Sequence, residues 1–262
     1  MRIGWVGLGV IGTGMVKRLL AAGQSVTVYS RGAGLADVTA LGAQACADYS
    51  VLAAQSDLMI LCVFDDAQLR NVLFEHGALK ALRRGSILAI HTTGSPHLAR
   101  EIAERAPPGV EVLDATFSGG PADAAAGKLT LMVGGAADAL DRARPVFETY
   151  TQHIYHVGPL GHAQVLKLLN NLLFATNLMN AVELLGLAER YGFDTQTVAR
   201  VFHSCSGGSY AMKLFQAAPV ATMLNASRPY LEKDVATAMA AAKDTGLDVS
   251  VFAPTDAYFK PR

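Results

Sequence analysis

The sequence is poor in cysteine and carries no charge imbalance. Its three cysteines, Cys46, Cys62 and Cys205, stand far apart, an odd number in no zinc or disulfide spacing, and they are expected to be reduced and buried. Lysine plus arginine equals aspartate plus glutamate at 22 each, so no summed field draws nucleic acid or an anionic membrane surface, and neither partner is expected. The start, MRIGWVGLG, offers no basic segment, apolar core and cleavage site, so a cytoplasmic location is expected. Nor do the histidines cluster: His153 and His156 in QHIYHV fall on opposite faces of a strand, and no metal is expected.

A second absence is local. Between His162 and Glu183 the only ionisable side chain is Lys167, in VLKLLNNLLFATNLMNAV. Burying an ammonium alone in an apolar helix is costly, so a cavity, partner or ligand must solvate it, and Lys167 becomes the first candidate for chemistry. Asn171 lies four residues on, on the same helical face, with Asn170 a little aside. The stretch is long enough to span a bilayer. Its Asn170, Asn171, Asn177, Asn180 and Lys167 would each be costly in hydrocarbon, so no span is expected. The other rival has Lys167 snorkelling to the surface along its own stem.

What is present is periodic. Up to residue 157 the runs RIGWV, SVTVY, LMILCV, SILAI and VEVLDA alternate with helical or turn segments, the pattern of a parallel sheet covered by helices. LTLMVGG, a helix from residue 136 to about 150 and QHIYHV follow. After Gly158-Pro159-Leu160-Gly161 strand signals stop. One helix is expected from residue 162 to about 191, with Gly192 at its end, then shorter helices around 194–204, 210–217 and 231–243. A helix apolar nearly all round must be enclosed. The short helical part covers it poorly, so a homodimer or homotetramer is expected.

Gly7-Leu8-Gly9-Val10-Ile11-Gly12 follows a strand and opens a helix, the context that gives G-x-G-x-x-G its meaning. Gly7 permits the turn, Gly9 lets backbone approach a pyrophosphate, Gly12 lets helix and strand pack, and the helix start faces the phosphates. An NAD site wants an acid at the end of the second strand. This chain has Ser30-Arg31. A guanidinium can clasp a 2′-phosphate with Ser30 adding a bond, so NADP is expected, with NAD as the alternative. Further on, Ser118-Gly119-Gly120 leaves backbone N–H groups unshielded, a nest for a carboxylate with the Ser118 hydroxyl as another donor.

The order of these motifs resembles the β-hydroxyacid dehydrogenase family that includes 3-hydroxyisobutyrate dehydrogenase. The resemblance rests on GLGVIG, HTTGSP from His91, DATFSGGPADAAAGKLTLMVGG from Asp114, GPLGHAQVLKLLNN from Gly158, and LEKD from Leu231. It implies an α/β chain: a Rossmann-type parallel-sheet domain over 1–158, then an all-helical substrate and dimerisation domain over 159–262, similar to the 6-phosphogluconate dehydrogenase C-terminal domain and built on one long interdomain helix. It also implies roles. Lys167 is the general acid/base, Asn171 orients the substrate, and Ser118, Gly119 and Gly120 bind its carboxylate. Thr93 lies near the nicotinamide, Lys233 approaches the cofactor, and Val63 and Phe64 border the adenosine ribose and pyrophosphate.

Three departures stand out against the family pattern. Ile11 replaces a usual Met and keeps its volume. Thr116-Phe117 stands where Pro-Val is common and Asp123 where Gly is common, which alters wall and charge near the expected carboxylate pocket. The expected reaction is hydride transfer between NADP(H) and a small 3-hydroxyacid or its aldehyde or keto acid. Rival readings are reduction of glyoxylate or succinic semialdehyde, and a non-catalytic NADP-binding module. A sensor needs no acid/base group, so Lys167 disfavours the module. Decarboxylating 6-phosphogluconate dehydrogenases carry His at the position of Asn170, and imine reductases usually lack the lysine.

Overall fold

Strands apolar at every position need cover on both faces, and IGWV, LMIL and ILAI within three of the runs above are of that kind. The computed structural model describes residues 1–32, 34–243, 246 and 248–260. Its contacts divide the chain into two compact units, Met1–Lys167 and Leu168–Arg262.

The first unit runs β1 (Ile3–Val6), α1 (Val10–Ala21), β2 (Val26–Tyr29), α2 (Gly34–Thr39), β3 (Gln44–Ala45), α3 (Tyr49–Gln55), β4 (Leu58–Leu61) and α4 (Asp66–Arg70). It continues with α5 (Ala78–Ala81), β5 (Ile87–Ile90), α6 (Pro96–Arg105), β6 (Glu111–Ser118), α7 (Pro121–Ala126), β7 (Leu129–Gly134), α8 (Ala137–Phe147) and β8 (Thr151–Gly158). The strands form one sheet in the order β3-β2-β1-β4-β5-β6-β7-β8. Strands β1, β4 and β5 are buried at every residue, and alternate side chains serve two cores. Ile3, Trp5, Leu58, Ile60, Ile87 and Ala89 pack on one side with Met15, Leu19 and Phe147. Val6, Met59, Leu61, Leu88 and Ile90 pack on the other with Leu52, Leu98 and Ile102.

The pairing is parallel throughout, as expected, except that β6 and β7 are antiparallel. The connection between them is too short for a parallel crossover, and Gly127, φ +69, ends α7 and turns the chain back. The order also sets where a ligand belongs. β1 pairs with β2 on one side and β4 on the other, Val6 standing beside both Tyr29 and Leu61. The connections leave in opposite directions, which opens a crevice at the carboxyl ends of β1 and β4.

Helix α9 (His162–Arg190) starts in the first unit and continues into the second, followed by α10 (Thr195–Ser204), α11 (Tyr210–Ala217), α12 (Val220–Lys243) and α13 (Ala253–Phe259). Gly192, φ +83, follows the end of α9 as expected. Leu172, Leu178 and Leu185 of α9 join Val198, Phe215, Val235 and Phe259 in the core of the second unit. Among the described residues α9 is the one helix long and apolar enough to cross a membrane. All three cysteines are free thiols, but the expectation of burial is not met: Cys46 and Cys62 are half-buried and Cys205 is exposed.

Candidate active site

The glycine turn is built as its three glycines require. Gly7 has φ +99, and a Cβ there would lie 2.2 Å from the Cys62 carbonyl oxygen, so the loops after β1 and β4 touch. The Trp5 indole fixes the turn by donating 2.9 Å to the Gly7 carbonyl. A Cβ on Gly12 would meet the same carbonyl at 2.4 Å, whereas one on Gly9 meets nothing within 4 Å. Gly9 is therefore bare toward open space at the start of α1, whose first turn has no side-chain cap. Unbonded N–H groups beside a bare glycine at a switch point fit the pyrophosphate of a dinucleotide.

Beyond β2, the Gly32 N–H donates 3.1 Å to Ser30 Oγ, which leaves the hydroxyl proton to donate outward. Arg31 is exposed. Its charge is felt by Tyr49, whose hydroxyl is pushed up to about 12 by burial and by Tyr29, with Arg31 pulling it back. The rings of Tyr29 and Tyr49 lie 3.8 Å apart beneath this loop. Beyond β4, the Val63 N–H donates to Thr92 Oγ1 at 3.0 Å and the Phe64 N–H to Gln68 Oε1 at 3.0 Å, and the Phe64 side chain is exposed.

The loop after β5 is clamped from α9. Gln164, fully buried, accepts from the Gly94 N–H at 2.9 Å and donates to the Thr92 carbonyl at 2.8 Å. The backbone on both sides of Thr93 is thus held. Beneath it, the His91 imidazole has Nδ1 at 2.5 Å from the Ala115 carbonyl and Nε2 at 2.9 Å from the Tyr150 hydroxyl. A carbonyl can only accept, so Nδ1 carries the proton and Nε2 accepts from Tyr150. Burial drives the His91 pKa down to about 4 against the pull of that carbonyl, and the ring is neutral near pH 7.

Strand β6 joins this loop to the lysine. Asp114, Thr116 and Ser118 share one face by alternation. Asp114, fully buried, accepts from the Gly161 N–H at 2.9 Å and the Gln164 N–H at 2.8 Å. Burial pushes its carboxyl up and those amides hold it back. Thr116 donates 3.0 Å to the carbonyl of Ala163. That carbonyl belongs to the turn of α9 that carries Lys167, four residues on. Lys167 is partly buried. Ser118 closes β6, Gly119 has φ +128, and the Gly120 N–H donates 2.8 Å to Asp123 Oδ2.

In the second unit, Asp234 gathers two of the expected residues. Its buried carboxylate accepts from Asn171 Nδ2 at 2.5 Å and from Lys233 Nζ at 2.5 Å. Asn170 Nδ2 donates to Asn171 Oδ1 at 3.0 Å. A carboxylate accepts only, so the Asn171 amide is held with its nitrogen toward Asp234.

Sequence reading missed Asp114, Gln164, His91 and Asp234. For Asp114 a signal existed, a charge at the end of the apolar run VEVLDA; for Gln164 there was none, since a glutamine on a helix is ordinary.

The chain is similar to known proteins over nearly its whole length. Residues 2–158 match the family model for the NAD binding domain of 6-phosphogluconate dehydrogenase, and 161–260 match that for the NAD-binding domain of NADP-dependent 3-hydroxyisobutyrate dehydrogenase. The chain is 35% identical over 250 residues to an NAD-dependent L-serine dehydrogenase of Pseudomonas aeruginosa, covering 94% of this chain and 83% of that one. It is 34% identical over 218 residues to 2-(hydroxymethyl)glutarate dehydrogenase of Eubacterium barkeri, covering 81% and 72%. A solved structure of Mycobacterium tuberculosis 3-hydroxyisobutyrate dehydrogenase with L-serine matches with a TM-score of 0.86 at 28% identity, covering 98% of this chain and 92% of that one.

Proposed function

The chain belongs to the β-hydroxyacid dehydrogenase family, and from that premise we propose an enzyme that moves a hydride between NADP(H) and a small 3-hydroxyacid or its aldehyde or keto acid. At the level of the family it is an NAD(P)-dependent dehydrogenase of a CH–OH group. When bound, the nicotinamide supplies or accepts the hydride.

Lys167 gives a proton to the substrate oxygen in reduction and takes one from the hydroxyl in oxidation. Such positioned proton transfer contributes roughly a hundred- to ten-thousand-fold in rate. The observation that carries this reading is the pinning of α9 by β6. Asp114 and Thr116 hold its first turns, and one more step along each element leads to Ser118 on the strand and Lys167 on the helix. Ser118 and the Gly119 N–H bind the carboxylate, and Thr93 stands at the nicotinamide end. Ser30 and Arg31 favour a 2′-phosphate, whose charge a carboxylate at this position would repel. Asn171 is assigned to orienting the substrate and Lys233 to the coenzyme.

Steady-state kinetics with NADP(H) and NAD(H) against short 3-hydroxyacids and carbonyl acids test the reading. Saturable turnover, faster with the phosphorylated coenzyme, is expected. Lys167→Ala is expected to lose at least about a hundredfold in kcat with coenzyme binding by fluorescence unchanged. A variant that loses both would make the lysine structural, and a wild type that oxidises neither coenzyme with any acid would favour the non-catalytic module.

A further inference from the structure

Gln164 is 1% exposed and is fixed through both its main chain and its side chain. Its own N–H donates 2.8 Å to Asp114 Oδ2, and its amide spans Thr93, accepting from the Gly94 N–H at 2.9 Å and donating to the Thr92 carbonyl at 2.8 Å. The far side of that loop has no slack. The Val63 N–H donates 3.0 Å to Thr92 Oγ1, the Ser95 N–H donates 3.0 Å to Asp66 Oδ2, and a Cβ built on Gly94 would fall onto the Asp66 carboxylate. The loop is thus wedged between the chain after β4 and the start of α9. Lys167 follows Gln164 by three residues, close to one turn of α9 and on the same side.

Hydride and proton must reach adjacent atoms of one carbonyl, so the groups that deliver them need a fixed separation, and a misplacement of about 1 Å can cost about a hundredfold in rate. We propose that Gln164 is a positioning residue: it holds the Thr92–Gly94 loop against the helix that carries Lys167, and so sets the gap into which the reacting carbonyl fits. This rests on the dehydrogenase reading above, with Thr93 at the nicotinamide end and Lys167 as the acid, and deepens it. The plain alternative is a buried amide that only satisfies two backbone groups. Such an amide bears on stability and leaves kcat alone.

Two variants separate these readings. Gln164→Met keeps the length of the side chain and loses both bonds. Gln164→Glu is conditional on pH: an ionised carboxylate accepts from Gly94 but sets an oxygen against the Thr92 carbonyl, whereas the protonated acid accepts with one oxygen, donates with the other and restores both bonds. At pH 8 both variants are expected to lose at least about tenfold in kcat, with the coenzyme dissociation constant unchanged, at temperatures where Trp5 fluorescence shows each protein folded. As pH is lowered to 5, kcat of Gln164→Glu relative to wild type is expected to rise at least about fivefold, while that of Gln164→Met stays flat; the ratio removes titrations common to the proteins. Without coenzyme, hydrogen exchange in residues 92–95 is expected to quicken at least about tenfold in Gln164→Met. Folded variants with wild-type kcat, unchanged exchange, or a loss in Gln164→Glu that pH does not move each overturn this proposal alone. Failure of both variants to fold also overturns it, because the amide is then structural. A wild type that turns over no acid overturns it together with the reading it rests on.

Discussion

Asp114 is the residue on which the placing of the lysine depends most directly. Both of its oxygens receive backbone N–H groups at the start of α9, and a carboxylate can accept at both ends. Asp114→Asn keeps the size and shape but turns one end into a donor, so one amide faces another N–H and goes unsatisfied. Loss of a buried partner of this kind costs about 1–3 kcal/mol. The melting temperature of the first unit is therefore expected to fall in Asp114→Asn, with kcat falling more than coenzyme affinity, since the displaced turn leads to Lys167. An unchanged melting temperature would sink this account. Lys167 was legible in the sequence because a lone charge in an apolar run is anomalous from local context alone. Asp114 was equally anomalous, but its partners lie 47 and 50 residues away, and only the fold brings them together.

At the scale of elements, the turn from β1 into α1 separates the two uses of glycine. Gly12 is a packing glycine: a Cβ would sit 2.4 Å from the Gly7 carbonyl oxygen, and backbone must move to admit it. Gly9 is extended at φ −67 and ψ 179, a conformation alanine adopts freely, with no heavy atom within 4 Å of its Cβ position. Gly12→Ala is thus expected to destabilise the protein by about 1–3 kcal/mol, as overpacking does. Gly9→Ala should melt like the wild type yet bind coenzyme at least about tenfold more weakly, because its methyl fills the space meant for the pyrophosphate. Calorimetry and coenzyme titration of the two variants check this, and a Gly9→Ala variant with wild-type affinity would place the coenzyme elsewhere. These glycines, and both ends of α9, could be read from the sequence since each is a local backbone event. The start of α12 at Val220 could not, because Pro229 reads as a break and yet lies inside the helix. Nor could β3, whose two residues exist as a strand only by pairing with β2.

At the scale of the molecule, two compact units need not unfold together, so a stability measurement needs a probe that belongs to one of them. The chain has a single tryptophan, and Trp5 is fully buried in the first unit with its ring 5.8 Å from His91 and 6.2 Å from Tyr150. His91 supplies a pH dependence for that probe to report. Its pKa is about 4 in the folded protein against 6.5 as an ordinary imidazole. Above pH 6.5 the ring is neutral in both states and contributes no slope. Between 6.5 and 4 the unfolded chain takes up a proton that the folded one refuses, so stability is lost as pH falls. Over pH 7.5 to 5 the loss from this one group is about 2 kcal/mol. Asp114 acts in the opposite sense, its raised pKa letting the folded state bind a proton more readily as pH falls. The carboxylates that cations hold low, Asp57 and Glu101, lose their contribution at more acid pH. Comparing the wild type with His91→Gln isolates the imidazole. Urea unfolding followed by Trp5 fluorescence at pH 7.5 and 5 is expected to show a loss in the wild type about 2 kcal/mol larger than in His91→Gln. Equal losses in the two proteins would mean that the imidazole is not held neutral beneath the Thr92–Gly94 loop.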